Sequence, residues 1–207
     1  MPAGFDAPGE NVSDLSLRDR LRAATTESHA ALDAVVAGWD IGTPQGYARF
    51  LEASAAALIP LELALEHAGV ETWLPDWPRR ARRQALAADL AALGVALPAF
   101  EPASVPSEAF GAGLLYTLEG SRLGARFLAR QVREAGGDPP VAYLTHGDGE
   151  PLWRSFLAWL EEAGKVGSQT DAVESGARYG FQRFSDAFER FTSPQGQNVR
   201  AAAHVRV

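Results

Sequence analysis

The sequence predicts an all-α protein that folds as a single-domain helical bundle. Ala, Leu, Arg and Glu dominate the chain, Pro and Gly punctuate it, and apolar residues recur at helical spacing. No convincing alternation with a period of two appears, so we predict no strand. The 207 residues suffice for one sizeable core, and we find no repeat or internal linker. We expect the folded domain at 15–191, between flexible tails at 1–14 and 192–207.

Local signals place six helices in this domain. Ser16 and Asp19 match a capping-box pattern, so the first helix should begin near Ser16 and stop around Gly38. Thr43-Pro44 should open the second helix, because proline suits the first helical turn. Pro60 inside that helix should kink or break it. Periodicity predicts four more helices, at 79–94, about 107–134, 150–164 and 170–191.

Composition excludes several classes of function. The net charge of −7 gives no basic footprint for nucleic acid. The absence of Cys excludes a thiolate nucleophile, an iron–sulfur cluster, Cys-bound zinc and haem attached through C-x-x-C-H. The N-terminus has no signal-peptide pattern, and no run approaches the roughly 18 apolar residues of a membrane span. We therefore expect a cytoplasmic protein that binds neither nucleic acid nor membrane.

His29 lies in the segment "LRAATTESHAALD", at the edge of the apolar stripe of the first helix. Arg22 precedes it by seven residues, which places it two turns away on the same side, on the order of 10 Å along the axis. One interpretation is a haem seat, in which the His reaches the iron and the Arg reaches a propionate. The other is a boundary His beside a solvated Arg, and this helix alone leaves both open.

The remaining His residues have ordinary structural explanations. His67 falls in a last helical turn, where it suits the helix dipole. His146 lies in the loop "THGDGE", and His204 lies in the C-terminal tail. The only Met is Met1, so a Met axial ligand is excluded. No Glu-x-x-His occurs, which argues against a di-iron carboxylate site.

A second unusual stretch is "TLEGSRLGARF", where two glycines lie one turn apart inside a predicted helix. Each interior Gly costs a helix about 1 kcal/mol relative to Ala. Helical spacing places Gly113, Tyr116, Thr117, Gly120 and Gly124 on one face. Such a face suits either close packing against another helix or a flat ligand lying against bare backbone. The stretch alone does not decide between these two interpretations.

Together the two segments resemble the bacterial haem oxygenase family, in particular the branch associated with bacterial phytochromes. "LRAATTESHAALD" is similar to that family's proximal-helix motif, Leu-basic-x-x-Thr-x-x-x-His. "LLYTLEGSRLGARFL" is similar to its distal-helix motif, Tyr-x-x-x-Gly-Ser-x-x-Gly. "LPDWPRRARRQALAADLAALG" resembles the third-helix region of the same branch. The resemblance covers roughly residues 15–190, with both motifs in the family's order.

The resemblance implies roles for residues on both sides of a haem. His29 would be the proximal iron ligand, and Arg22 would contact a haem propionate. Tyr116 would hydrogen-bond near the propionate edge. Gly120 and Gly124 would pack over the distal face of the haem. Haem would then be both substrate and cofactor.

Further implied roles fall on the distal wall and on the last helix. Ser121 would help to position distal water, and it occupies the place where the mammalian branch carries an Asp. With Gly120 and Gly124 it forms the implied catalytic set. On the last helix, the candidates for contacts with the haem edge are Arg178, Tyr179 and Phe181.

The implied reaction is oxidative opening of the haem ring to biliverdin, carbon monoxide and free iron. Its electrons would come from an external ferredoxin or reductase, because the sequence has no G-x-G-x-x-G fingerprint. A bacterial phytochrome is a possible acceptor of biliverdin. Three alternatives stay open: a non-catalytic haem carrier or sensor, a thiamin-salvage hydrolase of related architecture, and a helical scaffold. The hydrolases' usual catalytic Cys is missing here.

Overall fold

The computed structural model describes residues 16–164 and 169–192, and these form helices, turns and loops with no strand among them. The all-α prediction is confirmed. The predicted tails, 1–14 and 192–207, lie outside the described residues except for Thr192, which ends the last helix. In chain order the helices are α1 Leu17–Ala37, α2 Pro44–His67, α3 Val70–Trp73, α4 Arg83–Ala92, α5 Glu108–Gly120, α6 Arg122–Glu134, α7 Leu152–Gly164 and α8 Thr170–Thr192.

Two helices form the centre of the bundle. α2 is buried on nearly every side, and it is apolar around most of its circumference, as a central helix must be. α8 packs against α1, α2 and α5, and its buried face includes Phe184 and Phe188. The ring of Phe188 stacks on Trp39 at 5.0 Å and meets Phe50 edge-on at 5.9 Å. α1 and α5 therefore share α8 as a common support.

The beginnings of α1 and α2 confirm the sequence predictions. The Ser16 hydroxyl accepts a hydrogen bond from the Asp19 amide at 3.1 Å, and the Thr43 hydroxyl accepts one from the Gly46 amide at 3.1 Å. The sequence predicts that Pro60 kinks or breaks α2; the break is wrong, because the helix runs through Pro60 without interruption. Pro60 is buried among completely buried neighbours on its own helix, including Leu58 and Leu61. Packing around the central helix outweighs the local cost of the proline.

α4 begins four residues later than the sequence predicts, because its start is fixed by a distant carboxylate. A 3-10 turn covers Trp77–Arg79, and the helix begins at Arg83. Glu62 of α2 accepts the backbone N–H groups of Arg82 at 2.8 Å and of Arg83 at 3.0 Å. The carboxylate satisfies two orphan donors of the new helix, the task that a local cap usually performs.

The predicted long helix at 107–134 is two helices, α5 and α6, with the interruption at Ser121. Ser107 caps α5 by accepting from the Phe110 amide at 3.2 Å. The predictions for 150–164 and 170–191 are confirmed to within two residues by α7 and α8.

Candidate functional site

His29 lies on an exposed face of α1, with 62% of its side-chain surface accessible. Its Nδ1 is 2.9 Å from Oδ2 of Asp33, one turn further along the helix. The ring centroid is 5.8 Å from that of Phe181 on α8. A carboxylate at Nδ1 holds that nitrogen as the donor, which leaves the Nε2 lone pair for a metal ion. Asp33 therefore orients the His29 ring and leaves its Nε2 available.

Tyr116 on α5 stands next to the positive charges of α1. Burial raises the pKa of its hydroxyl, and the charges of Arg18 and Arg22 oppose that shift. The phenol is therefore a neutral hydrogen-bond donor at physiological pH. Its ring lies 5.6 Å from the ring of Trp153 on α7. The charge of Arg22 on α1 thus acts on the hydroxyl of Tyr116 on α5.

The glycines of the predicted common face divide into two kinds. A Cβ on Gly113 would lie 1.7 Å from the carbonyl oxygen of Val173, so this glycine permits close contact between α5 and α8. A Cβ on Gly120 would touch only the ring of Trp153, at 3.8 Å. A Cβ on Gly124 would meet nothing within 4 Å. Packing explains Gly113, whereas Gly124 faces open space.

Two large apolar side chains close to Gly124 in sequence are exposed on α6. Leu123 and Phe127 are each 61% exposed, which is unusual for their size. Within α6, helical spacing places Phe127 next to Leu123 and Gly124, four and three residues before it. A contiguous exposed apolar surface marks a binding site for another molecule. We call the surface formed by Gly120, Leu123, Gly124 and Phe127 the distal wall.

The hydroxyl of Ser121 is engaged within the protein. Its Oγ donates to the carbonyl oxygen of Leu118 at 2.7 Å and accepts from Nη2 of Arg82 at 2.9 Å. These two contacts tie Ser121 to the end of α5 and to the segment before α4. Its predicted role in positioning water stays a prediction.

Sequence reasoning missed a buried ionic network behind the distal wall. Arg80 and Glu119 are each only 1% exposed and form an ion pair at 2.7 Å. Glu119 also binds Arg122 at 2.9 Å, and Arg80 binds Asp76 at 2.7 Å. The only sequence signal is the run "RRARR" at 79–83, which reads as a solvated helix face. No local pattern shows which of these arginines are buried.

His146 also belongs to this network. The imidazole Nδ1 lies 3.3 Å from Nη1 of Arg122. The same Nη1 donates to the backbone carbonyl oxygen of His146 at 3.2 Å. Burial lowers the pKa of the imidazole, and the charge of Arg122 lowers it further. A neutral ring with Nδ1 as acceptor fits this position. A cavity of about 190 Å³ lies beside it, between α6 and the 143–153 segment.

The three candidates on α8 face different neighbours. Phe181 is buried and lies beside His29. Arg178 donates to Glu174 at 3.1 Å, and Tyr179 packs against the ring of Phe110 at 5.4 Å. Of these three residues, Phe181 is the one whose ring contacts that of His29.

The other histidines do not gather around His29. His67 occupies the last turn of α2, as predicted. His204 lies outside the described residues. Within the described ranges, no three His, Asp or Glu side chains are grouped so that they could hold a metal ion. None of the helices described is long and apolar enough to cross a bilayer.

These features define a class of protein: an all-α bundle with one carboxylate-oriented histidine on α1 and an exposed apolar surface with a bare glycine on α6. Haem fits this donor set, because a planar apolar ring needs one axial nitrogen, a flat wall and cations for its propionates. Arg18 and Arg22 supply the cations beside Tyr116. No atom lies within 4 Å of the position that a Cβ of Gly124 would take, which leaves room for a planar group there.

Comparison with known proteins makes the assignment specific. The chain is 30% identical over 179 residues to the heme oxygenase PigA of Pseudomonas aeruginosa, covering 83% of this chain and 90% of that protein. It is 36% identical over 132 residues to a heme oxygenase of Xanthomonas campestris pv. campestris, covering 56% and 78% respectively. No family model matches the chain. At this identity and coverage, the chain belongs to the haem oxygenase family.

Solved structures agree in fold. The heme oxygenase of Neisseria meningitidis, solved with NO and CO bound, superposes with a TM-score of 0.75 at 23% identity, covering 86% of this chain and 92% of that one. The heme oxygenase of Leptospira interrogans gives a TM-score of 0.65 at 19% identity, covering 84% and 98%. At these identities the two structures support the fold alone.

Proposed function

We propose that this protein opens the haem ring oxidatively, giving biliverdin, carbon monoxide and free iron. The observation that carries the proposal is the combination of an exposed, carboxylate-oriented His29 with the open distal wall at Gly124. Bound haem supplies both the iron that activates O₂ and the ring carbon that is attacked. The protein contributes binding, orientation and the shape of the pocket.

Each side of the pocket has a separate task in this proposal. His29 holds the iron through Nε2 while Asp33 holds Nδ1. Arg22 and Tyr116 orient the propionate edge, the first by charge and the second by its phenol proton. This fixes the rotation of the ring, and therefore which edge faces the reacting oxygen.

The distal wall selects ring attack through its shape. Gly120 and Gly124 carry no side chain, so they would leave room beside bound haem for O₂ to reach the ring edge. Leu123 and Phe127 cover the ring and exclude bulk water. Backbone groups and ordered water supply the hydrogen bonds, since Ser121 stands where an acid would otherwise stand.

The proposal includes partners. A ferredoxin or a reductase supplies electrons, and a bacterial phytochrome is the proposed acceptor of biliverdin. The cytoplasm, which holds such donors, is the proposed location. These assignments rest on the family resemblance.

Hemin titration tests the first step. Purified protein should bind hemin one-to-one with a spectrum typical of histidine ligation, and His29→Ala should lose that spectrum. His67→Ala is a matched control, because His67 is also an exposed helical histidine. An unchanged spectrum in His29→Ala would refute the ligand assignment.

Turnover tests the second step. With a reductant and O₂, the Soret band should decay while a biliverdin absorption grows, and chromatography identifies the isomer. A haem complex that persists under these conditions would instead support the haem carrier or sensor. No binding of hemin at all would leave the helical scaffold.

A further inference from the structure

Arg82 reaches the point where α5 gives way to α6. It precedes α4 in the chain, and only 2% of its surface is exposed. Its Nη2 donates to the carbonyl oxygen of Leu118 and to Oγ of Ser121, each at 2.9 Å. Arg82 therefore contacts the last turn of α5 and the interruption itself.

The Leu118 carbonyl is a critical acceptor at this point. In an uninterrupted helix it would accept the amide of Arg122, four residues later. Here it accepts from Arg82 and from the hydroxyl of Ser121, at 2.9 and 2.7 Å. Side-chain donors inserted into a helix ladder draw the carbonyl off the axis and bend or interrupt the helix. These two donors satisfy the carbonyl where the helix ladder is broken, and Arg82 ties it to the segment before α4, so losing Arg82 should loosen the interrupted turn.

Glu119, at the end of α5, also stabilises the interruption at Ser121 through two arginines. One of its carboxylate oxygens binds Arg80 at 2.7 Å, and the other binds Nε of Arg122 at 3.0 Å. Nη2 of Arg122 also donates to the backbone carbonyl of Arg80. Buried charges of this kind allow few alternative arrangements, because any unpaired state is costly. The end of α5, the start of α6 and the 80–82 segment are thus held as one unit.

We propose that Arg82 is a positioning residue, which holds the interruption at Ser121 and so sets the direction in which α6 carries Gly124 and Phe127 past the haem. The geometry of the helix follows from the contacts above and stands without a ligand. Its consequence for haem chemistry rests on the proposed function.

Replacing Arg82 is a cleaner perturbation than replacing Glu119. Both acceptors of Arg82 at the interruption are uncharged. Removing Glu119 would instead take the carboxylate from two arginines at once, Arg80 and Arg122. Arg82→Met keeps the length of the side chain and removes its donors. Arg82→Lys keeps a donor.

The first test is hydrogen exchange in the haem-free protein. In Arg82→Met, amides at 119–125 should exchange about tenfold faster, the scale expected for one lost hydrogen bond to a charged group. Leu90→Ala is the control, since it opens a cavity at a fully buried position of α4 and lowers the melting temperature without touching the interruption. Unchanged exchange at 119–125, or equal acceleration in the control, would overturn the proposal.

Arg82→Lys separates hydrogen bonding from packing. A lysine amine on a similar stem should restore slow exchange at 119–125. If exchange stays as fast as in Arg82→Met while the protein remains folded, the shape of the arginine, not its donors, fixes the interruption, and the proposal fails.

The second test uses hemin. Arg82→Met should keep the spectrum of histidine ligation, because His29 lies on α1, while the single-turnover rate falls about tenfold as the distal wall is displaced. A wild-type rate with accelerated exchange would overturn the positioning role. If the wild-type protein does not bind hemin, the proposed function fails, and hydrogen exchange still decides the role of Arg82 in the helix.

Discussion

Alanine at Gly113 and alanine at Gly124 should change the stability of the haem-free protein in opposite directions. Both glycines are helical, so each replacement gains helix propensity of up to about 1 kcal/mol. The surroundings differ, because a Cβ at position 113 meets the Val173 carbonyl at 1.7 Å, whereas a Cβ at position 124 meets nothing within 4 Å. Only the first replacement requires two helices to separate.

The size of each effect follows from these distances. Overpacking of a tight contact costs about 1–3 kcal/mol, and a contact as short as that at Gly113 belongs at the upper end. After the gain in propensity, Gly113→Ala should lose about 2 kcal/mol, or about 4–8 °C in melting temperature for a domain of this length. Gly124→Ala should gain about 0.5–1 kcal/mol, or about 1–4 °C.

Thermal and urea unfolding of the haem-free variants, followed by far-ultraviolet circular dichroism, measure both effects. A hemin titration of Gly124→Leu completes the comparison, since a bulky side chain on the distal wall should weaken binding while the fold remains intact. If Gly124→Ala is destabilised as much as Gly113→Ala, then α6 is packed at this point and the distal wall is not open.

Three further predictions use other parts of the site. Asp33→Asn should weaken hemin binding about 10–100-fold, the usual effect of losing the partner of a ligand histidine, with little change in unfolding free energy, as titration and urea unfolding will show. The pKa of His146 is lowered in the folded state, so the stability that it contributes is present above about pH 6.5 and is lost as the pH falls through its folded pKa. Urea unfolding between pH 5 and 7.5 should therefore show a weaker pH dependence of the unfolding free energy in His146→Gln than in the wild type. Phe127→Ala should change the haem-free stability by less than about 0.5 kcal/mol and weaken hemin binding, whereas Phe156→Ala, at a completely buried position, should lose about 3–5 kcal/mol.

The sequence predicts where a helix begins when its cap comes from a neighbouring residue in the chain. Ser16 and Thr43 cap their helices with their own hydroxyl groups, and a reader of the sequence finds both. The helix at 79–94 was placed four residues early, because the carboxylate that starts α4 comes from Glu62 on another helix. The interruption at Ser121 was missed for the same reason, since its donor Arg82 lies far away in sequence.

The candidate site divides in a similar way. The sequence singles out His29 because its position relative to the apolar stripe is a property of one helix, and Asp33 one turn later could be read from the same spacing; the ligand role of His29 stays a prediction. The glycine face was ambiguous, because sequence spacing does not tell which neighbour each glycine meets. The sequence does not show which arginines are buried, because the buried Arg80 and the exposed Arg79 are adjacent in one basic run.

The way α4 begins has a consequence for the order of folding. Arg82, at the N-cap position of α4, makes no side-chain capping bond, so the segment lacks its own helix nucleus. The capping carboxylate arrives only when α2 is in place, and the adjacent arginines then find their acceptors on α5. An isolated peptide covering 79–94 should therefore be largely unstructured. The start of α4 and the junction between α5 and α6 therefore depend on long-range contacts, which form more slowly than local ones.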